Sequence, residues 1–158
     1  MNRLSMTAFF VLSLLFGSIG CGDKPAGNGA PAAHGEENAS HGPHQGQFIE
    51  LGAEEYHAEL VHDEKAGTVT VYFLDGSAKQ NVPIDVPEIT INLKHDGKGE
   101  QFKLAAQPDA GDPPGKSSRF VSREAELAKD LDTEGVEAHL STSINGKPFS
   151  SAIEHHHD

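Results

Sequence analysis

From Gln47 onward, apolar and polar residues alternate in short runs, as expected of strands with one face buried and one face wet. In Tyr56–His62 the inward set is Tyr56, Ala58 and Leu60. In Thr68–Leu74 it is Val69, Val71 and Phe73, with Thr68, Thr70 and Tyr72 opposite. The Asp63–Gly67 segment between them has the length and late glycine of a hairpin loop. Ile89, Ile91 and Leu93 repeat the pattern in Glu88–Lys94. After the turn His95–Gly99, Phe102, Leu104 and Ala106 do so in Glu100–Ala106. Ser118–Val121 is a short further candidate. Val136, Ala138, Leu140 and Ile144 form the last long inward set. Asn145-Gly146, the preferred dipeptide of a type I′ turn, then leads into a returning strand from Lys147 to Ile153 with Phe149 and Ile153 inward.

One stretch breaks this period. Ser122 is placed to cap a short helix over Arg123–Leu131, with Glu124 and Glu126 near its positive end and Leu127 and Leu131 four apart on one face. The pattern predicts an all-β fold, an antiparallel immunoglobulin-like β-sandwich of seven or eight strands with one short helix. A small barrel is the alternative. The loop Gln107–Lys116, with Pro113-Pro114-Gly115, is expected at the surface.

The chain before Gln47 has a different texture. Residues 22–46 hold six Gly, three Pro and five Ala and lack large apolar side chains, so they cannot bury enough surface to order themselves. As a random coil such a tether would span roughly 25–30 Å. Residues 1–20 read as a secretory signal: Arg3 supplies the positive start, and an uncharged run containing Phe9–Leu12 and Leu14–Phe16 follows. That run is short for a membrane span. Gly17, Ser18 and Gly20 are small, and Cys21 comes next. Ser18-Ile19-Gly20-Cys21 resembles the lipobox of bacterial lipoproteins, with Ser18 where those usually carry leucine. The resemblance implies cleavage before Cys21, acylation of its thiol, and anchoring to a bacterial membrane with the protein facing the periplasm or cell exterior. The expected organisation is a signal at 1–20, a tether at 21–46, a β domain at 47–153 and a His-rich tail at 154–158.

Cys21 is the only cysteine, so an intramolecular disulfide is excluded and the domain must rest on its apolar core. The formal charge is −12, and loss of Arg3 with the signal leaves about −13. Such a surface repels nucleic acid and anionic head groups and attracts cations.

Six of the ten histidines lie near the chain ends: His34, His41 and His44 in the tether, and His155, His156 and His157 in the tail. Packing does not account for histidines in such segments. Neutral imidazole is the commonest protein ligand for several transition metals. Nitrogen and oxygen donors without a thiolate point to copper, zinc, nickel or cobalt. His57 and His139 fall on outward faces, His62 at a strand end and His95 in a turn, and all four read as solvated. So do Glu50, Glu54, Glu55 and Glu59. Asp109 and Asp112 lack the spacing of a calcium loop.

Enzyme signatures fail. The chain has no Gly-x-Ser-x-Gly and no His-Glu-x-x-His. His57-Ala58-Glu59 matches the first half of a zinc-deaminase motif, whose second half requires two further cysteines. A blue-copper centre also needs a cysteine inside the domain. No catalytic residue and no organic cofactor are expected.

His41-Gly42-Pro43-His44-Gln45-Gly46-Gln47-Phe48-Ile49-Glu50-Leu51-Gly52, followed by Tyr56-His57-Ala58-Glu59-Leu60-Val61, resembles the N-terminal metal-binding region of periplasmic adaptor subunits of heavy-metal efflux pumps. It is also similar, from about His41 to His157, to small His-rich lipoproteins of planctomycete-type bacteria. The adaptor resemblance implies periplasmic metal handling and carries over to His41 and His44. Gln45 stands where the adaptors have the first of two glycines. The helical hairpin and membrane-proximal domains of an adaptor are absent. The expectation is therefore a lipid-anchored protein that binds a transition metal through His-rich segments for buffering, delivery or efflux support, with the membrane and a metal-efflux or other envelope protein as partners. The alternative is a non-catalytic interaction module with incidental histidines.

Overall fold

The computed structural model describes residues 42–154. The expected signal at 1–20, Cys21, His34, His41 and His155–His157 lie outside the described residues.

Seven strands fall, to within two residues at their ends, where the alternation places them, and one more precedes them. They are β1 (Gln47–Leu51), β2 (Tyr56–Asp63), β3 (Thr68–Asp75), β4 (Glu88–His95), β5 (Lys98–Ala106), β6 (Arg119–Ser122), β7 (Glu137–Ile144) and β8 (Lys147–Ile153). All neighbours run antiparallel in one eight-stranded sheet of order β1-β2-β3-β6-β5-β4-β7-β8. The expected all-β antiparallel class is thus present, in its barrel-like form: the ladder runs through a single sheet that curls until its two edges meet. Gln47 Nε2 donates to the Glu154 carbonyl, and Ser151 Oγ donates to the Glu50 carbonyl at 2.6 Å. The residues facing each other across this seam, Gln47 with Glu154 and Glu50 with Ser151, keep an antiparallel register. These side-chain bonds bring the two edges together, while among the described residues no main-chain ladder joins β1 to β8.

The inward faces fill the barrel. Ala58, Leu60, Val69, Val71, Phe73, Ile89, Ile91, Phe102, Leu104, Ala138, Leu140, Ile144, Phe149 and Ile153 are all buried. Phe73 and Phe120 meet edge to face, 5.5 Å between centroids, a geometry that adds to their area burial. The interior is a packed core, and ligand chemistry belongs on the outside.

The helix is shorter than expected. α1 spans Ala125–Asp130 with Glu124 at its N-cap. Ser122 Oγ instead accepts from Glu124 N at 3.3 Å, bridging the end of β6 to the helix start. Leu127, Ala128 and Leu131 enter the core, as the four-residue spacing implies. Asn145 and Gly146 both have positive φ (52° and 78°), as a type I′ turn requires.

Candidate functional site

β1 adds to β2 in the register Gln47↔Leu60, which sets Phe48 beside Glu59, and β3 sets Tyr72 on the other side of Glu59. Ala58 and Leu60 point into the core, so alternation sends Glu59 to the outer face. An outward carboxylate at the middle of a strand is expected in water. Glu59 is instead fully buried, at 0% exposure, which corrects the reading of this position as solvated.

The cause is the segment just before β1. Gly42–Gly46 does not trail away from the sheet. It folds back over β2 as a tight turn, with Gln45 N donating to Gly42 O at 2.9 Å and Gly42 N to Gly46 O at 3.0 Å. Residues 42–46, expected to end the tether, therefore belong to the folded domain. Glycine is required at the turn's last residue, because a Cβ on Gly46 would lie 2.5 Å from the Leu60 carbonyl oxygen.

The turn delivers its donors to Glu59. Oε1 accepts from His44 N at 2.7 Å and from Gly46 N at 2.8 Å. Oε2 lies 2.7 Å from His44 Nδ1. Burying a carboxylate is costly unless hydrogen bonds replace its water, and here three N–H groups do so. An ionised carboxylate offers only acceptors, so against an ionised Glu59 the proton on this contact sits on Nδ1. The His44 ring stacks on Tyr72 with centroids 3.7 Å apart and planes 3° from parallel. The imidazole is thus held at one edge and on one face, with 30% of its side chain still exposed. Among the described residues, Nε2 has no hydrogen-bond partner.

His44 is the one candidate ligand of the chain ends within the described residues. The seam places the two ends beside each other: Glu154, whose carbonyl Gln47 holds, is the residue before His155.

The other histidines have structural surroundings. His57, half-buried, points Nδ1 at the Asp75 carbonyl (3.3 Å) and packs edge-on against Phe48. His62 Nε2 lies 2.9 Å from Asp132, and His95 lies 3.9 Å from Asp96. His139 is exposed on β7. Asp109 pairs with Arg119 at 3.1 Å, and Asp112 Oδ2 accepts from Asp109 N, Ser118 N and Ser118 Oγ, so both aspartates build their loop. Glu55 pairs with Lys147.

Two groupings were not legible in the sequence. Glu59 with Tyr72 is one; its only sequence signal is a histidine between two glycines just ahead of the first strand. The other is a surface cluster of Glu100, Glu126 and Asp130, whose carboxylates lie within 4.8 Å of one another. Lys98 lines the same cleft as Glu100 and Asp130.

Compared with models of known families, with curated proteins and with solved structures, the chain matches none.

Proposed function

We propose that this chain is a lipid-anchored, non-enzymatic envelope protein that binds a transition-metal ion through its His-bearing segments, for buffering, delivery or support of metal efflux. One observation carries the reading: the barrel closes at the seam where those segments begin. Gln47, three residues after His44, is bonded to Glu154, the residue before His155. Ligands on two segments that start far apart must be brought together by the ion, at an entropic cost. Ends tethered to neighbouring points have a high effective concentration for each other. The acidic surface draws cations, and the imidazole and carboxylate donors suit Cu(II), Zn(II), Ni(II) or Co(II). Anchoring rests on the signal-like residues 1–20 and on Cys21.

The test is calorimetry with Cu(II), Ni(II) and Zn(II) on residues 21–158 carrying Cys21→Ser. The comparison protein has His34, His41, His44 and His155–His157 changed to alanine. Saturable heats in the first and none in the second support the reading. Equal, weak heats in both overturn it.

A second reading has its own observation. β1 and β8 meet through side-chain bonds without a main-chain ladder, which leaves strand edges able to accept a partner's strand. An envelope partner that stays bound after chelation and after loss of the six histidines would favour an interaction module.

A further inference from the structure

We infer that Nε2 of His44 is a preformed ligand atom for a borderline divalent transition metal, and that buried Glu59 is the positioning residue that makes it one. This rests on the metal-binding reading above and goes further by naming the atom, the tautomer and the residue that sets both.

Imidazole can bind a metal through either nitrogen, and the nitrogen that binds must be free of its proton. In free histidine the two tautomers interchange. Here Oε2 of Glu59, 2.7 Å from Nδ1, holds the proton on that side and leaves the Nε2 lone pair bare. A carboxylate behind an imidazole also raises the basicity of the far nitrogen, the arrangement found behind metal-bound histidines in general. Tyr72, parallel to the ring at 3.7 Å, fixes its plane. The Nδ1 edge faces a group with no exposure, so the exposed part of the ring lies away from that edge. A ligand held this way loses little freedom on binding. The remaining coordination positions fall to water.

A latch that only pins the turn would need the two main-chain bonds to Oε1. It would not need a defined tautomer or a bare nitrogen. This difference is measurable. The experiment uses residues 21–158 with Cys21→Ser, Zn(II) as the probe, and long-range proton–nitrogen NMR of the histidine rings. The metal-free protein is expected to show His44 protonated at Nδ1 and bare at Nε2, with Zn(II) shifting Nε2. Glu59→Gln presents an amide N–H₂ where Oε2 was, which reverses the tautomer. It is expected to weaken Zn(II) binding about 10- to 100-fold. His44→Ala is expected to weaken it at least as much.

Zn(II) binding that leaves the His44 signals unmoved, with His44→Ala and Glu59→Gln binding as tightly as the parent, overturns this site while leaving metal binding through other histidines standing. A parent protein that binds no metal overturns both. Should Glu59→Gln fail to fold, the ring spectra of the parent decide the matter alone: a His44 protonated at Nε2, or a shift at Nδ1, overturns the assignment.

Discussion

A Cβ added to Gly42 would lie 2.5 Å from Oε2 of Glu59, so the turn that carries His44 closes on the carboxylate with no room for a side chain at its first residue. Gly42→Ala is expected to push the turn off β2 and to cost about 1–3 kcal/mol, the usual range for overpacking. Urea unfolding gives the size. A fully exposed Glu59 in the variant would be seen as rapid exchange of the His44 and Gly46 amides. An unchanged midpoint would mean that the turn does not contribute to stability.

Glu59→Ala is the harsher change. It strands three N–H donors under the turn at once. Leaving a buried donor without its acceptor costs about 1–3 kcal/mol, and a loss of at least that size is expected here. His44→Ala removes one donor and leaves two, so it should cost less. Thermal unfolding of the two variants side by side checks the order, and the reverse order would sink this account of the turn.

Much of the fold was legible because its information is local. The buried sets on β3, β4 and β7 repeat every second residue, and Asn145-Gly146 names its own turn. Closure into a barrel was not legible, because it depends on where β6 inserts between β3 and β5, a pairing of residues far apart in the chain. The site was half legible. His44 stands out as a histidine. Glu59 does not, because its place on β2 predicts water, and what removes the water is a Gly- and Pro-containing segment whose composition predicts no structure at all. Burial there comes from three specific hydrogen bonds, which leave no periodic trace.

The turn after β3 supplies a prediction about acid. The Asp75 carboxyl lies below the usual aspartate value of 3.8, chiefly because Lys79 N donates to it, with Ser77 Oγ and Gln80 N helping. A folded-state value below the unfolded one means stability that is complete above the unfolded value and is lost as the pH falls through the folded one. Asp75→Asn should therefore be less stable than the parent near neutral pH, and the difference should shrink as the pH falls below 3.8 and through the folded value. A difference that stays constant across the acid range would assign the effect to something other than ionisation.

The seam is held by fewer main-chain contacts than the rest of the sheet. Amides of β1 and β8 should exchange with solvent faster than those of β4 and β5, which have ladder partners on both sides. Ser151→Ala, which deletes the 2.6 Å bond to Glu50, should quicken exchange in β1 further at a cost of about 1 kcal/mol or less. Uniform protection around the barrel would contradict this.

For the anchor, cells fed a labelled fatty acid should label the parent and not Cys21→Ala, and the variant should leave the membrane fraction. Label retained by the variant would refute lipidation at that residue.

The bond between Gln47 and Glu154 makes the domain's beginning and end neighbours. A short linker joining them, with new termini cut at the exposed turn Asp96-Gly97 between β4 and β5, should give a circularly permuted chain that folds to the same sheet. With residues 1–46 kept at its new N-terminus, such a permutant would carry them at the opposite pole. It would separate what the barrel itself does from what its point of attachment brings near it.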